Sequence, residues 1–170
     1  MDDLPIQIVD AENNPTGSAI KQEAWRNGLI HRISRISILN DNGQILVQKR
    51  SKSRDLYPGR WDNSVAGHVD TGETYLQAAL RELSEELGIN SLDLTVLGDY
   101  YAETTYDWRV MKKFTRAYKA VINNPIPTFS LSPDEVESVA WMDINTVKEL
   151  VLNHPEQVTD GLEQVISRYF

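Results

Sequence analysis

Gly67-His68-Val69-Asp70-Thr71-Gly72-Glu73-Thr74-Tyr75-Leu76-Gln77-Ala78-Ala79-Leu80-Arg81-Glu82-Leu83-Ser84-Glu85-Glu86-Leu87-Gly88-Ile89 is the stretch on which the fold turns. From Thr74 the apolar residues take helical spacing. Leu76, Leu80, Leu83 and Leu87 fall at i, i+4, i+7 and i+11 and predict one buried face. Thr74 with Gln77 has the form of a capping box at the start, and Gly88 is a natural terminator at the end. Glu82, Glu85 and Glu86 stand at i, i+3 and i+4, so their carboxylates share a face, expected to point away from the leucines. On a bare helix this placement is costly. Each like-charge pair repels by about 0.2–0.5 kcal/mol, and the helix dipole disfavours an anion in the last turns by about 0.3–1 kcal/mol. Only Arg81, four residues before Glu85, is near enough to compensate. A hard divalent cation would turn the penalty into binding, because Mg²⁺ prefers carboxylate oxygens and keeps waters for a substrate. A solvated acidic face is the alternative for three glutamates considered alone.

Working outward, Ile6 to Val9 reads as a short strand and Asn13-Asn14-Pro15-Thr16-Gly17 as a turn. Ile36 and Ile38 alternate with polar neighbours, and Asp41-Asn42-Gly43 separates them from Gln44 to Arg50. Asn-Gly between two such runs signals a hairpin, since both residues tolerate positive φ. Leu94 to Tyr101, Phe114 to Ile122 and Val136 to Met142 read as strands. Helices are expected near Ile144 to Leu152 and Asp160 to Tyr169, with Val158, Leu162, Val165 and Tyr169 on one face of the last. The expectation is one mixed α/β domain over residues 1–170, without repeats or linkers.

Composition narrows the function. The 170 residues include no cysteine, which excludes disulfides, thiolate metal sites and cysteine nucleophiles. A net charge of -8 argues against a protein that neutralises phosphates along a nucleic acid polymer, yet suits a local anionic site for a cation. Met1-Asp2-Asp3-Leu4-Pro5 lacks the pattern of a signal peptide, and no apolar run reaches the roughly 20 residues that span a bilayer. A cytoplasmic protein without membrane partners is expected, and a homodimer is among the assemblies left open.

The opening stretch fits Gly-x5-Glu-x7-Arg-Glu-U-x-Glu-Glu-x-Gly-U, with U aliphatic, at every specified position. Chance agreement is on the order of one in a billion per starting point at average residue frequencies. The segment resembles the Nudix box, residues 67–89. That resemblance implies a Nudix fold, a mixed sheet sandwiched between helices, and an enzyme that cleaves a diphosphate linkage in a small organic or nucleotide substrate. It further implies that Glu82, Glu85 and Glu86 bind Mg²⁺ or Mn²⁺, with a backbone carbonyl near Gly67 completing the site, while Glu73 and Arg81 hold the loop. The metal would orient the diphosphate and acidify a bound water. A carboxylate would take the proton, with Glu85 and Glu135 both eligible.

Upstream, the hairpin with Gln48-Lys49-Arg50 and the run Tyr57-Pro58-Gly59-Arg60-Trp61-Asp62-Asn63-Ser64-Val65-Ala66-Gly67-His68 are similar to the bacterial branch related to type I isopentenyl-diphosphate isomerase. There the resemblance breaks at the chemistry. Ala66 stands where those isomerases carry a catalytic cysteine, and His31 and His68 match two metal histidines but Ala24 replaces a third. Arg109 to Phe114 supplies no acid where a carboxylate is expected. Hydrolysis is therefore the preferred reading. Isomerisation and a non-catalytic module for a phosphorylated ligand are the alternatives. Lys49, Arg50, Lys52, Arg54 and Arg60 form a basic run, from which Arg50 is the preferred phosphate contact, with Lys49 beside it. His68 is a further phosphate contact and Trp61 a stacking surface, although each of these also suits a structural or solvated role.

Overall fold

The computed structural model describes residues 4–170; Met1, Asp2 and Asp3 of the opening stretch lie outside the described residues. Its strands are β1 (Ile6–Val9), β2 (Pro15–Ala19), β3 (Ile30–Asn40), β4 (Gln44–Arg50), β5 (Trp61–Asp62), β6 (Val65–His68), β7 (Thr95–Tyr106), β8 (Arg109–Ile122) and β9 (Val136–Asp143). Its helices are α1 (Lys21–Asn27), α2 (Tyr75–Leu87), α3 (Ile144–Asn153) and α4 (Asp160–Tyr169). All nine strands belong to one mixed sheet with β3 at its centre. β3 runs parallel to β8 from Ile30↔Lys112 to Asn40↔Ile122 and antiparallel to β1, β4 and β6.

The period of two along β3 and β4 sorts their side chains onto two faces. Ile36, Ile38 and Leu46 meet α2 through Ala78, Ala79, Leu83 and Leu87. Ile45 and Val47 meet α3 and α4 through Val147, Leu162 and Ile166. The sheet is thus sandwiched between helices, as the resemblance implied. Gly43 adopts φ 75° in the β3–β4 turn, where Asn40 Oδ1 accepts from the N–H groups of Asn42 and Gln44.

The helix that carries the acidic residues begins and ends as its sequence predicts. Thr74 Oγ1 accepts from Gln77 N–H at 3.2 Å and Gln77 Oε1 accepts from Thr74 N–H at 2.8 Å. Gly88 terminates it at φ 70°. Its buried face, however, is rotated from the expected one. Tyr75, Ala78, Ala79, Leu83, Glu86 and Leu87 are buried, whereas Leu76 is 46% exposed and Leu80 only half-buried. The stripe that follows Tyr75 and Ala79 continues through Glu82 and Glu86. These two carboxylates therefore face the sheet, not the solvent side opposite the leucines.

Other differences are local. Pro15 to Ala19 is an edge strand rather than part of a turn, and α1 was not expected. β7 and β8 run on to a tight connection at Asp107, which sits at φ 57°, so both strands exceed the spans read from the sequence. Leu83→Ala should cost about 2–5 kcal/mol by emptying a fully buried site, whereas Leu76→Ala should stay within about 0.5 kcal/mol. Urea unfolding of the two variants checks the rotation, and equal losses would refute it.

Candidate metal centre and cleft

The inward rotation of α2 gathers acids that are distant in sequence. Oxygens of Glu82, Glu86 and Glu135 all lie within 4.8 Å of one another. Glu86 is held from the sheet side, its Oε2 accepting from Gln48 Nε2 at 3.0 Å and from the Ala66 N–H at 3.3 Å. Glu82 packs against Gly67. A Cβ there would come within 2.0 Å of the Glu82 carboxyl carbon, so any side chain at position 67 would displace that carboxylate. Glu135 arrives because its loop caps α2. Ser130 N–H donates to the Leu87 carbonyl at 3.0 Å and Ser132 N–H to the Glu86 carbonyl at 3.4 Å, satisfying helix-end acceptors. The Ser51 N–H then fixes the Glu135 carbonyl at 2.9 Å, and Arg54 pairs with the Glu135 side chain at 3.3 Å.

Arg81 ties the motif together. Its guanidinium donates to both oxygens of Glu73 at 2.9 and 3.0 Å, to Glu82 at 2.8 Å, to Glu85 at 3.2 Å and to the His68 carbonyl at 2.9 Å. Glu73 in turn accepts from the Asp70 N–H at 3.0 Å. Glu85 is the outlier of the expected triplet. Its side chain is half-exposed at the rim, held by Arg81 and outside the tight cluster.

The cluster is electrostatically strained. Burial pushes the Glu82 carboxyl up to about 7 although Arg81 opposes the shift, and neighbouring Glu85 and Glu135 add to it. Burial pushes Glu86 well above the carboxylate range, reinforced by Glu82 and Glu135. Arg81 and Arg54 each pair with one of these acids, yet burial still raises Glu82 and Glu86, and carboxylates converging in this way fit a hard divalent ion, which supplies the charge that burial denies.

These acids form one side of a cleft of about 490 Å³, a volume suited to a small ligand. Trp25, Ile33, Leu56, Tyr57 and Met111 give it an apolar wall, and Arg35, Arg50, Asp62, Lys113 and Asp160 a charged floor. Of the basic residues read from the sequence, Arg50 and Arg54 reach the cleft, but both are engaged: Arg54 pairs with Glu135, and Arg50 donates to Asp62 at 3.1 Å and to the Leu56 carbonyl at 2.9 Å. Lys49 points to the opposite side of the sheet, its ammonium 5.4 Å over the Trp61 ring, and neither residue lines the cleft. Trp61 packs instead with the α3–α4 core. His68 does line the cleft, stacked on His31 with centroids 5.3 Å apart. Burial pushes His31 down to about 4 and His68 well below its usual value, so both are neutral near pH 7. Gln48, Arg35, Asp62, Lys113 and Asp160 were not singled out from the sequence. A polar residue inside an apolar strand run, as at Gln48 and Arg35, was the available signal.

Comparison with known proteins agrees with this architecture. The NUDIX domain family matches residues 30–162. A Nudix hydrolase of Yersinia pestis is 34% identical over 137 residues, 81% of this chain and 71% of that one. An isopentenyl-diphosphate delta-isomerase of Serratia proteamaculans is 31% identical over 159 residues, 94% of this chain and 87% of that one. A crystal structure from Deinococcus radiodurans shares the fold with a TM-score of 0.79 at 22% identity, covering 98% and 99% of the two chains. The chain belongs to the Nudix family and is a Nudix-type hydrolase. No described helix is long and apolar enough to cross a membrane.

The Glu82 shift has a testable sign. The folded state holds this proton more tightly than the unfolded chain, so the contribution to stability is full below pH 4.5. It is lost as pH rises through about 7. In chelator, Glu82→Gln should therefore gain stability relative to the native protein across that window. The buried histidines act in the opposite sense but are common to both proteins, so the difference reads Glu82 together with its effect on Glu86. Denaturant unfolding against pH checks it, and a native protein that gains on the variant as pH rises would contradict the assignment.

Proposed function

We propose that the protein is a Mg²⁺- or Mn²⁺-dependent pyrophosphohydrolase acting on a nucleoside diphosphate derivative or another small organic diphosphate. The observation that carries this is the buried convergence of Glu82, Glu86 and Glu135 at the wall of a ligand-sized cleft. Glu82 and Glu86 would hold the metal, with Glu135 joining them from its loop and the Gly67 backbone closing the site. When bound, the ion neutralises the diphosphate and lowers the pKa of a coordinated water.

The remaining work belongs to the chain. Gln48 and the Ala66 N–H fix Glu86 in one rotamer, so that little reorganisation accompanies the reaction. Arg81 and Glu73 hold the loop against the helix. Glu85, at the rim and outside the cluster, would accept the proton of the attacking water, with Glu135 serving as ligand rather than base. Arg50 and neutral His68, both in the lining of the cleft, would contact phosphate oxygens of the substrate.

The relation to isopentenyl-diphosphate isomerases defines a second reading. Two features count against it. Ala66 lines the cleft with a methyl group, and its N–H is committed to Glu86. The β8 residues that line the cleft are Met111 and Lys113, neither of which is an acid. The chain has no thiol, and β8 brings no carboxylate to the cleft, so the pair of groups expected of those isomerases is incomplete.

Mn²⁺ should raise the unfolding temperature by ligand linkage, and Glu86→Gln should abolish both that shift and turnover while leaving the circular dichroism spectrum unchanged. Glu85→Gln should lower kcat by about 10²–10⁴-fold, the usual worth of a general base, yet retain the metal shift. An active Glu86→Gln protein in a screen of nucleoside, sugar and isoprenoid diphosphates would sink the assignment. Incubating isopentenyl diphosphate with the protein and Mg²⁺ in D₂O should leave the prenyl carbons free of deuterium. Incorporation detected by mass spectrometry would instead establish isomerisation.

A further inference from the structure

The floor of the cleft holds a charge imbalance that the metal reading does not use. Arg35 on β3, Arg50 on β4 and Lys113 on β8 converge there with Asp62 on β5 and Asp160 on α4. Arg35 Nη1 lies 3.8 Å and Arg50 Nη1 3.1 Å from the Asp62 carboxylate, while Lys113 bonds Asp160. Three cations thus share two carboxylates. The neutral rings of His31 and His68 and the phenols of Tyr57 and Tyr100 stand beside this group, and Glu86 belongs to the metal cluster.

Arg35 makes the longest ion pair of the three, 3.8 Å to Asp62, with Asp160 and the Tyr100 hydroxyl also acting on it. It is 5% exposed, and its Nε has no hydrogen-bond partner among the described residues. Its guanidinium presses on Gly161 so closely that a Cβ there would fall 1.8 Å from Nη1. That contact sets it at the amino end of α4, where the helix dipole adds a further unfavourable positive potential. Asp62 is already bonded by Arg50, by Thr159 Oγ1 at 2.8 Å and by the Asn63 N–H at 2.8 Å. A buried guanidinium whose nearest carboxylate already serves donors of three other residues is suited to a further anion.

We propose that Arg35, with Lys113 and Arg50, forms a metal-independent subsite for a phosphate group of the substrate. The subsite lies on the cleft floor beside the acidic wall. A planar guanidinium and a point-charge ammonium on one small oxyanion give several charge-assisted bonds at once. The proposal rests on the cleft being the substrate site and narrows the substrate to one with a phosphate group held by cations while another is held by metal. The apolar wall of Trp25, Leu56, Tyr57 and Met111 would face the organic part.

The test uses the full chain in chelator, so that the metal site takes no part. Unfolding temperature is followed against inorganic phosphate, with sodium chloride at matched ionic strength as the control. Phosphate should stabilise the native protein and the Glu86→Gln variant alike, while in a parallel titration without chelator only the native protein responds to Mn²⁺. Arg35→Met leaves one cation for each carboxylate, since Arg50 retains Asp62 and Lys113 retains Asp160. Without phosphate it should be at least as stable as the native protein, and its apparent phosphate affinity should fall about tenfold or more, the worth of a charge-assisted bond. Arg35→Lys should keep a measurable phosphate response. A native protein indifferent to phosphate, an Arg35→Met protein that still binds it equally, or one that is destabilised or fails to fold would each overturn the subsite. The phosphate response is read without metal or turnover, so its loss would leave the hydrolase reading untouched.

Discussion

The bond from Gln48 to Glu86 is the constraint on which the rest of the site depends. A carboxylate on the buried face of an amphipathic helix is ordinarily excluded by its desolvation cost. Here the central sheet supplies two N–H donors at the depth of Glu86, one from the Gln48 side chain and one from the Ala66 backbone. With Glu86 accommodated, α2 can turn its acidic stripe inward while Leu83 and Leu87 remain fully buried one step around the helix. Glu82 then meets the backbone at Gly67, and the missing side chain there is what allows the approach. The capping of the helix end by the Ser130–Ser132 segment brings Glu135 to the same point. Packing, capping and charge thus converge on one small volume.

That volume is stable only as a compromise. The core offers Glu82 and Glu86 position but little solvation, so their protons bind more tightly than in water. A cation with hard character relieves the conflict, and the same preorganisation that costs folding energy serves transition-state charge later. The floor of the cleft shows the opposite sign of the same economy. Arg35, Arg50 and Lys113 outnumber Asp62 and Asp160, leaving the acidic wall facing a cationic base. A molecule bearing more than one phosphate matches both poles.

Much of this was legible in the chain. The glycine, glutamate and arginine spacing of residues 67–89 marked the loop and helix, and capping at Thr74 and Gly88 followed from local chemistry alone. Glu135 could be anticipated only as an acid ahead of a late strand. What failed were readings that needed azimuth or partners. The leucine spacing placed the buried face about Leu76, but the small residues Ala78 and Ala79 permit closer approach to the sheet, which rotates the helix toward Tyr75 and Glu86. Lys49 and Arg50 are neighbours in sequence, yet strand alternation sends them to opposite faces. The short α1, with Ala24 and Trp25 as its buried residues, carries no periodicity over a useful length. Arg35, Lys113, Asp62 and Asp160 come from four different elements, and their balance exists only after folding.

The claim that α2 turns its acids inward to hold a cation is open to one direct observation. Crystals grown with Mn²⁺ and measured at the manganese absorption edge should show an anomalous peak bounded by Glu82, Glu86 and Glu135, with Gln48 still bonded to Glu86. A peak between His31 and His68, or one reached only by exposed Glu85 with Glu86 turned away, would contradict it.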